Sequence, residues 1–439
     1  MNRSAKIIAL DDDPTGSQTV HGCLLLLAWD VETLRAGLRD ASPLLFILGN
    51  TRARPAAEAA AVTREICQNL RQALDLESVL DWMVVSRSDS TLRGHYPLET
   101  DVIAAELGPF DAHFLVPAFI EGGRITRDSI HYLQVAGRPV PVHETEFAQD
   151  SVFGFHHSYL PDYVAEKTGG RIPAESVVRL DLATIRQGVT LQLLALQNNS
   201  CAVVDAETQA DLRAFAMAVW AAQAQGKRFL FRSAAGLVSA LADLPPQPVP
   251  PDAMAQYVRH GRPGVFIVGS HVPTSTQQLT QLLAEAGTEG VEIPVAKLLA
   301  GASVTELLDP VVAQVNTVFA AGRTAVVYTT RGELTFPDPE TRLRFGQQVS
   351  ALTAGVVQHL PTAAGYLISK GGITSNDVLS QGLGLRAVRL LGQILPGVNL
   401  LCTDADHPRL PNLPVGVFPG NVGGPAGLVE IYRRLQLKG

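Results

Sequence analysis

Lys6-Ile7-Ile8-Ala9-Leu10 runs straight into Asp11-Asp12-Asp13-Pro14-Thr15-Gly16-Ser17, an apolar stretch of strand length followed at once by three carboxylates and a turn. A short apolar run without polar alternation suits a strand buried on both faces, as in a parallel sheet covered by helices. In such sheets ligands sit beyond the carboxyl ends of the strands, where loops and helix N-termini converge. Polar clusters directly after a strand therefore carry the most weight. Three adjacent carboxylates repel one another, and a helix cap needs only one of them. Such a cluster suits holding Mg²⁺ together with substrate phosphate, or taking the proton of an attacking hydroxyl.

The pattern repeats along the chain. Strands are expected at Lys6-Leu10, Cys23-Ala28, Leu44-Leu48, Trp82-Ser86, His113-Pro117, Ala202-Asp205 and Arg228-Phe231, and in a second series at Gly264-Gly269, Ala325-Thr329, Gly365-Lys370 and Val398-Cys402. Ala-, Leu- and Gln-rich stretches of helical period separate them, the arrangement of parallel strands with crossover helices. The 439 residues exceed what one core usually serves. Between the two series, Leu244-Pro245-Pro246-Gln247-Pro248-Val249-Pro250-Pro251 holds five prolines in eight residues and favours a stiff extended connector. The expected organisation is two α/β domains with mainly parallel sheets facing a shared cleft: residues 1–244, a linker at 245–251, and residues 252–439.

Composition narrows the function. With 46% hydrophobic and 18% charged residues the chain is that of an ordinary globular enzyme. The net charge of -7, with no block of like charges, argues against a nucleic-acid groove. No apolar run approaches the ~20 residues of a membrane span, and the N-terminal apolar stretch is too short for a signal peptide, so a cytoplasmic location is expected. Cys23, Cys67, Cys201 and Cys402 are far apart and read as small buried hydrophobes rather than metal ligands.

Further polar clusters follow other strands. Asn50-Thr51-Arg52-Ala53-Arg54-Pro55 offers arginine forks, either solvated or pairing with a carboxylate. Ser86-Arg87-Ser88-Asp89-Ser90-Thr91-Leu92-Arg93-Gly94-His95 is a dense donor set that a single helix cap does not explain. Pro117-Ala118-Phe119 leads to the turn Gly122-Gly123-Arg124. In the second series, Gly269-Ser270-His271, Lys370-Gly371-Gly372-Ile373-Thr374-Ser375 and Phe418-Pro419-Gly420-Asn421-Val422-Gly423-Gly424 offer glycine loops that cradle phosphates, though any one alone reads equally as a turn. Neither a Walker A loop nor G-x-G-x-x-G after the first strand is present.

Taken in order, Asp12-Asp13-x-Thr15-Gly16, Asp89-Ser90-Thr91-Leu92-Arg93-Gly94, Pro117-Ala118-Phe119 with Gly123-Arg124, Val204-Asp205-Ala206, Gly269-Ser270, Gly371-Gly372-x-Thr374-Ser375 and Gly420-Asn421-x-Gly423 resemble the four-carbon acid sugar kinase family. The resemblance implies an N-terminal substrate domain and a C-terminal nucleotide domain, with ATP and Mg²⁺ phosphorylating threonate, erythronate or an oxo-tetronate. It carries substrate binding onto Asp12, Arg52, Arg87, Ser88, Asp89, Ser90 and Arg93, and ATP contacts onto Ser270, Gly371, Gly372, Ile373, Thr374, Gly420 and Gly423. Asp13, or else Asp12, is the expected base. A small sugar acid and ATP are the expected partners, without nucleic acid or membrane, and a homodimer is compatible with this reading. Two rivals remain. Asp11-x-Asp13-x-Thr15 also fits the nucleophile motif of a haloacid-dehalogenase-like phosphatase, with Asp11 attacking phosphate. A non-catalytic sugar-acid sensor explains the arginines but not the three-Asp loop together with the glycine loops.

Overall fold

A computed structural model describes residues 5–135, 137–331, 336, 339–420 and 422–436. The chain divides into two compact units, one running to Thr19 and then from Cys23 to Pro245, the other comprising Val20–Gly22 and the chain from Pro246 onward.

The first unit contains β1 (Lys6–Asp11), β2 (Leu24–Leu26), β3 (Leu44–Leu48), β4 (Trp82–Arg87), β5 (Ala112–Val116), β6 (Arg124–Arg127), β7 (Ile130–Val135), β8 (Arg138–Pro141), β9 (Val178–Leu180), β10 (Ser200–Val204) and β11 (Phe229–Ser233). Eight of these form a sheet in the order β2-β3-β1-β4-β11-β5-β10-β9, every pairing parallel. β1 is buried along its whole length, as its unbroken apolar run requires. Helices cover the faces. Ala56–Leu76 buries Ala59, Thr63, Ile66, Cys67, Leu70, Ala73 and Leu74, a stripe of helical period, and Gln209–Gln223 opens on a Thr208/Asp211 capping box. Phe114, Phe215, Phe229 and Phe231 meet edge-on or stacked with centroids 5.2 to 6.5 Å apart. Truncating one such buried ring typically costs about 3–5 kcal/mol. A separate antiparallel sheet, β6-β7-β8, was not expected from the sequence.

The second unit contains β12 (Val265–Val268), β13 (Thr288–Ile293), β14 (Thr324–Thr329), β15 (Leu367–Lys370), β16 (Ala387–Leu395), β17 (Val398–Cys402) and β18 (Pro414–Phe418). Their order is β13-β14-β12-β15-β18-β17-β16. The first five pair parallel with one another, but β17 is antiparallel to both β16 and β18. The expected parallel reading of Val398–Cys402 is thus corrected. Only Pro396 and Gly397 join it to β16, a link far too short for a parallel crossover. In the proline-rich segment, Gln247 accepts from Gln393 N at 2.9 Å and donates to Gln393 O at 3.1 Å, and Pro251–Tyr257 forms a 3-10 helix.

In each unit the central strand sits between neighbours reached by opposite chain directions: β1 between β3 and β4, and β12 between β14 and β15. Those are the switch points where open α/β sheets bind ligands. Asp11-Asp12-Asp13 follows the first and Gly269-Ser270 the second.

Candidate active site

Register explains the first cluster. Asp11 on β1 lies beside Arg87 on β4 and Leu48 on β3, so the loops after all three strands meet. Arg87 Nη1 donates to Asp11 Oδ1 at 3.0 Å and lies 3.7 Å from Asp12. Arg52 forks onto Asp12, Nη2 to Oδ1 at 2.5 Å and Nε to Oδ2 at 3.1 Å, with Nη1 3.5 Å from Asp13 Oδ2. Ser88 Oγ donates to Asp12 Oδ2 at 2.8 Å. Asp13 Oδ1 accepts from Thr15 N at 2.8 Å and from its hydroxyl. Gly16 passes so close that a Cβ there would stand 2.1 Å from both Asp11 oxygens, which requires glycine.

The three acids differ in character. Burial pushes Asp11 up to about 7, against the pull of Arg87 and with the help of Asp12 and Asp13. Burial also pushes Asp13 upward, but Arg52, Thr15 and Arg87 outweigh it and hold Asp13 below its ordinary value. The Asp12 side chain is 1% exposed and Asp13 23%. Asp13 is the carboxylate a ligand can reach.

The loop after β4 is equally pinned. Asp89 accepts from Arg93 Nε at 2.7 Å and from the Thr91 hydroxyl; burial is overridden by Arg52, Arg93 and Thr91, so it stays ionised well below the usual range. Arg93 lies 4.9 Å from the centre of the Phe147 ring. Buried His131 donates through Nε2 to the carbonyl of Ser90 at 2.7 Å, leaving Nδ1 to accept from Thr126 Oγ1 at 2.9 Å; burial holds it neutral, pushed down to about 4. Beneath the loop, Arg232 pairs with Glu99 at 2.5 Å and with Ser86 Oγ at 2.8 Å, while Thr51 Oγ1 donates to the other Glu99 oxygen at 2.5 Å.

Arg124, marked in the sequence by the Gly123-Arg124 motif, lies close to this loop. It donates to the carbonyl of Gly122, its Nε is buried without a partner, and it feels both Asp89 and Arg93. His131, Glu99 and Arg232 carried no sequence signal, since only tertiary register brings them to this loop.

In the second unit a cavity of about 810 Å³ is lined by Gly269, Ser270, Gly371, Gly372, Ile373, Thr374 and Gly420, together with Val272, Val295, Phe336, Phe345, Val349, Arg342, Ser350, Thr353 and Asp377. The three glycine loops touch one another. A Cβ on Gly269 would meet Thr374 Oγ1 at 2.2 Å, and one on Gly420 would meet Ser270 Oγ at 2.9 Å. Ser275 Oγ lies 2.9 Å from both Gly420 O, to which it donates, and Ser270 Oγ, from which it can accept. Gly423 does not line the cavity; it sits at φ +81° against Phe418 and Gln278. Asn421 lies outside the described residues. The lining thus combines glycine backbone, which lets an anion approach closely, with apolar side chains.

Residues 7–241 match the family described as sugar-binding N-terminal domain, and residues 265–428 the nucleotide-binding C-terminal domain. The chain belongs to the four-carbon acid sugar kinase family. A D-erythronate kinase of Heliobacterium modesticaldum is 26% identical over 72% of this chain and 71% of that protein. A D-threonate kinase of Bordetella bronchiseptica is 28% identical over 53% of each. Solved structures from Salmonella typhimurium LT2 and Haemophilus influenzae match with TM-scores of 0.70 and 0.65 at 18% and 17% identity, covering 98% of this chain and all of each; they establish the fold. This kinase therefore pairs a sugar-binding α/β domain with a nucleotide-binding one and uses ATP. The phosphatase alternative fails on its nucleophile, because Asp11 is 2% exposed and bound to Arg87. Among the described residues no helix is long and apolar enough to cross a membrane.

Proposed function

We propose that this kinase transfers the γ-phosphate of ATP to a hydroxyl, the terminal one, of a four-carbon sugar acid such as erythronate, threonate or an oxo-tetronate. The observation that carries the reading is the state of Asp13. The side chain is 23% exposed where that of Asp12 is 1% exposed, one oxygen is held by Thr15, and the other lies 3.5 Å from Arg52 Nη1. That oxygen receives the acceptor's proton. A lowered pKa suits a loose transition state, in which the proton leaves late and positioning matters more than basicity. Arg52 and Arg93, 18% and 25% exposed, with Arg124 beside them, are the groups that meet the acid's carboxylate. Asp12, Arg87 and Ser88 are buried and hold Arg52 and the loop in place. Asp89 and Ser90 complete the acid's site. Ser270, Gly371, Gly372, Ile373, Thr374 and Gly420 receive the nucleotide, and Gly423 shapes the last loop.

The three Asp carboxylates do not fit a protein-built Mg²⁺ cage, since each faces a guanidinium; among the described residues no group of three or more His, Cys, Asp or Glu could hold a metal ion. Mg²⁺ is proposed to come with the phosphates of ATP, where it would neutralise their charge. These reactants go with a cytoplasmic enzyme.

The test is ADP release over a stereochemically complete set of tetronates and the matching alditols. The acid should be strongly preferred, and Asp13→Asn should lower kcat by ~10²-fold or more with little change in KM. If Asp12→Asn does so while Asp13→Asn does not, Asp12 is the base. If alditols serve as well as acids, the acid is not the substrate.

A further inference from the structure

Two buried side chains support the last glycine loop, and both point their donors at main-chain oxygen. Lys370, the final residue of β15, is 0% exposed. Its ammonium donates to Pro419 O at 2.6 Å and Val422 O at 3.3 Å, and lies 3.7 Å from the centre of the Phe418 ring. Gln278, also fully buried, donates through Nε2 to Val422 O at 3.1 Å, Gly423 O at 3.3 Å and Gly424 O at 2.8 Å. In a trans peptide the C=O and the following N–H point in opposite directions. Drawing the carbonyls of Pro419, Val422 and Gly423 inward therefore turns the amides of Gly420, Gly423 and Gly424 away from Lys370 and Gln278. Gly420 lines the cavity.

A buried amine keeps its proton only beside a balancing anion, and among the described residues no carboxylate pairs with Lys370. The helix Pro273–Leu283, strands β12 and β18 and the 419–424 loop contain no ionisable side chain. The charge attached to its strand neighbour is another cation. Arg331 donates to Val268 O at 2.7 Å and to Ser270 O, and Val268 is the β12 partner of Lys370. Asp377, at the end of the helix Gly372–Asp377, accepts from Ser350.

We propose that Lys370 is a positioning residue for the nucleotide's phosphates. With Gln278 it gathers the carbonyls of Pro419, Val422 and Gly423 so that the Gly420 amide is turned outward at the cavity wall to meet an anion, and the polyphosphate balances its buried charge. This rests on placing the nucleotide in the second unit's cavity. Burial pushes Lys370 down to about 7 in the free protein, so at pH 8 much of it is neutral. An adjacent phosphate favours the ammonium, so ADP binding takes up a proton.

Calorimetric titration of ADP and of adenosine at pH 8, in two buffers of different ionisation enthalpy, reads this directly. Wild type should take up protons with ADP and not with adenosine. Lys370→Met should bind ADP about 10- to 100-fold more weakly, keep its adenosine affinity and lose the proton uptake. Gln278→Leu should weaken ADP binding and retain the uptake, which separates charge from loop shape. Retained adenosine affinity checks that the second unit of each variant is folded. Unchanged ADP affinity and proton uptake in Lys370→Met overturn the proposal, as does ADP binding by wild type without uptake, a result that does not need the variant to fold. If wild type binds neither ADP nor adenosine, the nucleotide reading itself falls.

Discussion

The two units place opposite materials at their switch points. After β1 the first unit uses side-chain charge: Asp12 against Arg52, Asp11 against Arg87, Asp89 against Arg93, and Glu99 against Arg232 below them. After β12 and β15 the second uses backbone, three glycine loops in mutual contact around a cavity. A small polyhydroxy acid must be distinguished by the position of each group, which fixed charges and hydroxyls do well. A polyphosphate needs many donors at close range, which backbone without Cβ atoms supplies well. The first site should therefore break when a charge is removed and the second when a methyl is added.

The largest effect is expected at Glu99→Gln. Glu99 and Arg232 are 7% and 4% exposed, and removing one charge leaves the other buried and uncompensated, at a cost of about 3–5 kcal/mol. Trp29, Trp82 and Trp220 all lie in the first unit, so tryptophan fluorescence during urea unfolding reports that unit alone. An unfolding midpoint equal to that of wild type would show that the charge lattice does not stabilise the acid-binding unit.

Next comes Gly371→Ala. Gly371 has φ +118° and ψ 142°, a region open almost only to glycine, and a Cβ there would stand 3.1 Å from Ser270 Cβ. Strain of about 1–3 kcal/mol should fall on the cavity wall. ADP binding should weaken while the tryptophan transition and sugar-acid binding stay as in wild type. Equal loss of both ligands would mean that the two sites do not differ as described.

The same contrast governs what could be read from the sequence. The strand Lys6–Asp11 was legible because an apolar run of the right length stops at acids, and the glycine loops because each follows such a run. The antiparallel strands β6, β7 and β8 were not, since Arg124–Arg127 and Arg138–Pro141 are four residues each, polar or proline-bearing, and neither gives a period. β16 alternates buried and half-buried residues over most of its length, a signal present in Ala387–Leu395 but broken by Gly392. Glu99 reads as an ordinary acid in a helix's first turn, and only the neighbouring β4 and β11, which bring Ser86 beside Arg232, make it half of a buried pair. Lys370 reads as a solvated lysine at a strand end. Its burial depends on a loop 49 residues later. Side chains that act through distant register leave no local trace, whereas those that follow their own strand do.

The smallest effect is a slope with pH, and it sharpens the description of the first unit because its acids pull in opposite directions. Asp11 has its folded pKa raised to about 7, above the unfolded value of about 4. Between these values the native state holds a proton that the unfolded chain has released. The stability this group contributes is full below pH ~4 and is lost as pH rises through about 7, with a slope of at most ~1.4 kcal/mol per pH unit. Asp13 and Asp89 behave the other way, their contribution present above the unfolded value and lost as pH falls. Asp11→Asn keeps the size and a donor for the site while removing the ionisation. The variant's tryptophan-monitored urea midpoint should therefore fall less between pH 5 and 8 than that of wild type, while the acid-side loss below pH 4 remains. If the two profiles run parallel from pH 5 to 8, Asp11 is ionised in the native state and its pairing with Arg87 outweighs its burial.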